Sequence, residues 1–170
     1  MPGSIRSVTA MAQTTGVTDL EGTLAGAWEP EQITVVRGAR TGVPIIVAVH
    51  STVLGPAIGG CRFRHSPSWQ DGLTDALALS AAMTDKCSLA DLDHGGGKTV
   101  AVLPPGPVDP ASRAALVLDT SDVVGSFTGR YLTGPDIGTG PADMLIIFQR
   151  TGYAFCRALG PARRRRARLR

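Results

Sequence analysis

The stretch PIIVAVHS, residues 44–51, most narrows what this chain can fold into. It is nearly all apolar and rich in β-branched residues, and it is too short for a typical helix. A strand that is apolar on both sides must be covered on both faces, so it is expected inside a sheet with helices on either side. QITVVRG (32–38) reads as a second strand, and ARTG (39–42) as the turn of a hairpin joining the two. TVLGPAIGG (52–60) reads as a loop and CRFRH (61–65) as an alternating strand. SPSWQDGLTDALALSAAMTDK (66–86) reads as a helix, with Ser68 suited to its cap, Asp71 in its first turn and an apolar stripe through Leu73, Ala76, Leu77 and Ala81. TVAVL (99–103) is a strand that stops at Pro104-Pro105. A helix over 110–125, a short strand within 129–144 and a helix over 142–152 complete the pattern.

Strands alternating with helices predict the α/β class: a three-layer-like sandwich with a mixed, mostly parallel sheet flanked by helices. Residues 28–155 are expected to form this domain. Residues 1–27 lack periodicity and are expected to be a disordered arm, and the Arg-rich stretch 156–170 a disordered tail.

LDHGGGKTV (92–100) suggests a phosphate loop but fails that motif twice. The first glycine of such a loop belongs at position 92, where the chain has Leu92. A helix should follow the loop, but a strand is expected here. The glycines therefore need another purpose, and close backbone approach beside Lys98 is the expectation. No Gly-x-Gly-x-x-Gly follows a strand either, so no Rossmann domain is expected in this chain.

The net charge of +3 is misleading, because six arginines crowd into residues 161–170. Residues 1–160 carry 11 basic and 14 acidic side chains, which argues against nucleic acid as a partner. No apolar run is long enough for a membrane span, and no secretory leader is visible. Cys61, Cys87 and Cys156 are odd in number and match no zinc spacing, which suits a reducing, cytoplasmic setting. The chain has fifteen arginines but only two lysines, Lys86 and Lys98, both in its glycine-rich centre. Arginine stays protonated whereas lysine can be tuned, so two retained lysines point to proton chemistry.

Three stretches, GPAIGGCR (55–62), MTDKCSLADLDHGGGK (83–98) and YLTGPDIGT (131–139), together resemble the Glu/Leu/Phe/Val dehydrogenase family of amino-acid dehydrogenases. The resemblance covers about residues 32 to 155. It implies that Lys98 and Asp136 are the catalytic pair, that Lys86 and the Gly59–Gly60 backbone meet a substrate carboxylate, and that Met83 lines the substrate pocket. It also implies a homo-oligomer, and a nicotinamide cofactor, NAD or NADP, bound by a domain missing from this chain.

Elementary chemistry agrees with these roles. A carboxylate seeks a fixed cation and N–H donors. Loss of hydride from an α-amino acid leaves an imine that water must attack. A lysine beside another cation and partly desolvated, as expected for Lys98, suits general acid–base work on that water. Asp136 suits proton exchange with the amine.

Glutamate-specific members carry lysine just before the glycine pair, where this chain has Ile58. A distal carboxylate would be left unpaired there, so the expected substrate is a small apolar L-amino acid or its 2-oxo acid. Gly134 is expected to leave room for the side chain. Valine or leucine is favoured over phenylalanine, although one methylene discriminates by only about 1–3 kcal/mol.

The chain departs from the family pattern at Asp85, Cys87 and Asp91, which replace an aromatic residue, asparagine and glycine. Asp85 is expected to draw Lys86 into a local ion pair, and Asp91 to strain its turn. ALGPARRRRARLR does not resemble the family's continuation and reads as a truncated or frame-shifted end. The expectation is thus the substrate-binding half of a dehydrogenase, incomplete alone. The alternative is a non-catalytic oligomerisation remnant.

Overall fold

A computed structural model describes residues 30–155. The expected arm 1–27 and tail 156–170 lie outside the described residues. The elements run β1 (Gln32–Arg37), β2 (Pro44–Val49), β3 (Ala57–His65), α1 (Trp69–Leu89), β4 (Gly95–Leu103), α2 (Pro110–Ser126), β5 (Tyr131–Pro135) and α3 (Pro141–Thr151). The five strands form one sheet in the order β1-β2-β4-β3-β5.

The apolar run at 44–49 is indeed interior, paired antiparallel to β1 on one side and to β4 on the other. Strand β3 pairs parallel with both β4 and β5. The sheet is mixed, as expected, but parallel pairing makes up half of it rather than most. The β1–β2 hairpin is antiparallel, and β2 meets β4 antiparallel as well.

Alternation along the strands sends side chains to two different cores. Ile46, Ala48, Val100 and Val102 pack with Leu73 and Ala76 of α1 on one face. Ile45, Val47, Ala101 and Leu103 pack with Leu116, Val117 and Val124 of α2 and with Met144 and Ile147 of α3 on the other. This makes three layers, with β4 buried along its whole length at the centre.

The helix ends follow local chemistry. Ser68 caps α1 in a reciprocal capping box with Asp71. Asp109 caps α2 by accepting from the N–H groups of Ala111 and Ser112. Gly152, at φ 76°, closes α3 in the left-handed conformation. The β1–β2 turn is held from below by Asp119 of α2. Its buried carboxylate accepts the backbone N–H groups of Arg40 and Thr41, the Thr41 hydroxyl and the Arg40 guanidinium.

Two boundaries differ from the sequence reading. Strand β3 begins at Ala57, so Gly59 and Gly60 are strand residues and not part of a loop. Strand β4 begins at Gly95, so the triple glycine is also strand. Glycine is a poor strand former in isolation, and packing overrides its propensity here. A Cβ on Gly95 would lie 1.7 Å from the Ser51 carbonyl oxygen. One on Gly96 would lie 2.2 Å from the Thr84 nitrogen and 2.3 Å from the Ser80 carbonyl oxygen of α1. One on Gly97 would lie 2.7 Å from the Tyr131 ring. The three glycines thus let α1, β5 and the segment after β2 close on the central strand.

Candidate active site

The glycine packing fixes the height of α1 over β4, and Lys98 emerges one residue further along the strand. Lys98 is 5 % exposed and is directed to the α1 side of the sheet, since its register partner is Ala48 of the α1-facing core. A buried ammonium needs a partner. Lys98 Nζ donates to Asp136 Oδ2, immediately beyond β5. Arg62 of β3 donates its Nε–H to the same oxygen at 3.0 Å.

Gly60 lies between these groups. A Cβ there would stand 3.0 Å from Lys98 Nζ and 2.7 Å from Asp136 Cβ, so the bare Cα forms the floor beneath the pair. Gly59 serves β3–β4 contact instead: a Cβ on it would collide with the Gly97 carbonyl. Gly59 and Gly60 pair with Thr133 and Gly134 of β5 while the β3–β4 register skips both, so they are strand residues and not an open turn.

The loop carrying Asp136 is tightly held. Thr139 Oγ1 donates to the Cys61 carbonyl at 2.7 Å and accepts the Asp136 N–H at 3.0 Å. Arg113 of α2 donates to the Gly138 carbonyl at 2.9 Å and pairs with Asp143 at 2.7 Å. Asp143 also accepts the Gly140 N–H and so acts at the start of α3. Partial burial pushes the Asp136 carboxyl up. Bonds from Lys98, the Ile137 backbone and Arg62 outweigh it and hold the group down at about 2.

Of the other expected site residues, Ile58 is half-buried on β3, two positions before Gly60 and therefore on the same face. Met83 is half-buried near the end of α1. Lys86 is exposed in the last turn of α1 and touches neither Lys98 nor Asp136. The helix period nevertheless sets its direction: eleven residues make three turns plus about 20°, so Lys86 shares the flank of Asp75. That flank faces β3, because Asp75 pairs with Arg62 and Arg64. Lys86 thus stands about 16 Å along the axis from Asp75, toward the Ile58 end of β3. Gly134 is buried beside Gly60 in the β5 register. A Cβ on it would be 3.9 Å from the Phe155 ring.

Asp85 and Lys86 are both exposed and no ion pair joins them, contrary to expectation, because adjacent helical residues point about 100° apart. Asp91 does occupy the left-handed region, at φ 53°. Cys87 is buried and its thiol faces the Gly95 carbonyl at 3.6 Å.

Sequence reasoning missed Arg62, Asp75 and Phe155. The alternation of CRFRH was legible, and it sets Arg62 and Arg64 on one face. Nothing in it told which helical acid would meet them.

No group of His, Cys, Asp and Glu suited to a metal occurs among the described residues. No described helix is long and apolar enough to cross a membrane. A cavity of about 480 Å³ lies elsewhere, between the β1–β2 turn, Leu103–Pro104 and the start of α2. Its lining includes Arg40 and Asp109, and neither Lys98 nor Asp136 borders it.

These features define an α/β domain whose parallel half presents a buried lysine paired with a half-buried aspartate over a glycine floor. The chain belongs to the Glu/Leu/Phe/Val dehydrogenase family, whose dimerisation-domain model matches residues 31–153. It is 44% identical over 115 residues to a phenylalanine dehydrogenase of Thermoactinomyces intermedius, covering 68% of this chain and 31% of that protein. It is 38% identical over 117 residues to a valine dehydrogenase of Streptomyces virginiae, covering 69% of this chain and 32% of the relative. The chain therefore spans about a third of the length of the curated relatives it matches. Among solved structures, the L-tryptophan dehydrogenase of Nostoc punctiforme superposes with a TM-score of 0.70 at 32% identity, over 79% of this chain and 39% of that one.

Proposed function

We propose that this domain is the substrate-binding part of an NAD- or NADP-dependent amino-acid dehydrogenase that oxidatively deaminates an apolar L-amino acid. The observation that carries the reading is the ion pair between Lys98 and Asp136 above the bare Cα of Gly60. Glycine at 60 keeps a side chain from separating the two groups, and leaves space above them for a substrate α-carbon. Asp136, ionised at neutral pH, accepts a proton from the substrate ammonium and returns it to departing ammonia. Lys98 orients the attacking water and stabilises the oxygen that forms. Lys86, on the β3 flank of α1, takes the substrate carboxylate. Ile58 and Met83 offer apolar surface to the side chain, and Phe155 closes the space beside Gly134. A glutamate γ-carboxylate finds no cation at Ile58, which favours a branched-chain or aromatic substrate.

The nicotinamide cofactor would supply the hydride acceptor. The described strand-to-helix connections carry no dinucleotide-binding glycine pattern, so none of these residues is assigned to holding it. The relatives' family model supports self-association as the further role of this domain.

The test is ligand titration of the purified chain followed by amide NMR. Leucine, valine, phenylalanine or their 2-oxo acids should shift Gly60, Lys98 and Asp136, and glutamate should bind at least tenfold more weakly. Shifts confined to other regions, or equal binding of glutamate, would refute the assignment. The same titration separates the second reading, a non-catalytic oligomerising domain, from the first, since a domain that has lost the site should bind none of these ligands. The departures at Asp85, Cys87 and Asp91 favour that second reading, and turnover by the chain would end it.

A further inference from the structure

A line of charged groups runs from α1 across β3 to the loop after β5. Asp75 Oδ2 accepts Arg64 Nη1 and lies 3.5 Å from Arg62 Nη1. Arg62 in turn donates Nε–H to Asp136 Oδ2. The Arg62 side chain is only 15 % exposed, and Asp75 and Asp136 are 27 % and 21 % exposed. Arg62 thus offers different nitrogens to two carboxylates on two different elements, which the planar guanidinium can do and a point-charge ammonium cannot.

We propose that Arg62 is a positioning residue for Asp136, and that Asp75 fixes Arg62 in the orientation this requires. The inference deepens the reading of Lys98 and Asp136 as the reacting pair and rests on it. Asp136 Oδ2 accepts from both Lys98 and Arg62. With Lys98 alone, the carboxylate could rotate about its χ2 and follow the ammonium when substrate arrives. The second donor, anchored through Asp75 to a helix, pins that oxygen. Neither Lys98 nor Arg62 takes Asp136 Oδ1, which is the oxygen left to face a substrate amine. Arg64 shares Asp75 but does not reach Asp136, so it braces the anchor only.

The other charged groups around Asp136 are few. Lys98 approaches from β4 and Arg62 from β3. Asp75 stands behind Arg62 on α1, the Cys61 thiol lies next along β3 on the opposite face, and Arg113 of α2 holds the loop through Gly138 and Asp143.

The experiment is a carbon-13 NMR titration of the Asp136 carboxyl in the full 170-residue chain, its resonance identified by loss in Asp136→Asn. Arg62→Gln should raise the Asp136 midpoint by about one pH unit or more. Asp75→Asn gives the discriminating sign. If Asp75 acts only through its charge, removing a negative group lowers the midpoint. If it holds Arg62 in place, the midpoint rises. Arg62→Lys keeps the charge but loses the two-sided fork, so its midpoint should also lie above wild type. An unchanged midpoint in Arg62→Gln, or an unchanged or lowered one in Asp75→Asn, overturns the proposal. If Arg62→Gln lacks a folded amide spectrum, Arg62→Lys and Asp75→Asn decide the matter by the same signs. None of these readouts needs turnover. Failure to bind any amino acid alongside the expected shifts would count against the proposed substrate and leave the positioning role standing.

Discussion

Replacing Gly96 by alanine tests whether the triple glycine exists for packing. The added methyl would stand 2.2 Å from the Thr84 nitrogen and 2.3 Å from the Ser80 carbonyl oxygen, both backbone atoms of α1. Ordinary carbon–polar contacts need about 3.4 Å, so the helix must retreat by roughly 1 Å. Neither a rotamer change nor a flexible side-chain tip can absorb this. The retreat loosens Leu73 and Ala76 from Ile46, Val100 and Val102. Overpacking of a well-packed core costs about 1–3 kcal/mol, and rigid backbone on the receiving side puts this site at the upper end. Lower unfolded-state entropy offsets about 0.4–1 kcal/mol of that. The net loss is about 2–2.6 kcal/mol. For a folded unit of this length the unfolding entropy is about 0.3 kcal/mol/K, so Tm should fall by about 7–9 °C. Differential scanning calorimetry measures this directly. Gly134→Ala is the control, because its methyl would meet only the Gly59 carbonyl and Phe155, each at 3.9 Å. A Gly96→Ala melt within about 2 °C of wild type, or an equal loss in Gly134→Ala, would refute the packing argument.

Asp91→Gly should stabilise the chain by about 0.5–1 kcal/mol, since Asp91 holds φ 53° where a Cβ is unfavourable. A Tm rise of about 2–4 °C in the same calorimeter is the expected sign. Asp136 also makes stability depend on acid. Its folded value is depressed to about 2, so its contribution is complete above the unfolded value near 3.9 and is lost as pH falls through about 2. The loss is about 1–2 kcal/mol after allowing for partial exposure. Urea midpoints between pH 5 and 2.5 should therefore drop less in Lys98→Met than in wild type, and equal drops would count against the pairing.

The reading of this chain separates along a physical line. Period and punctuation are local, so the capped start of α1 at Ser68, the end of β4 before Pro104 and the interior place of β2 were all legible in the residues. So were the class of fold and the family, because GPAIGGCR, the Lys86–Lys98 stretch and YLTGPDIGT are short contiguous patterns. Glycine, by contrast, has no side chain whose pattern can show where it packs. Gly59, Gly60 and Gly95–Gly97 therefore read as loop, and only the approach of α1, β5 and the post-β2 segment makes them strand. The partners of a charge are likewise set by distance in space. Arg62 and Asp75 are thirteen positions apart, and Asp136 is seventy-four from Arg62. Their meeting depends on how α1 lies over β3, which the helix–sheet packing decides.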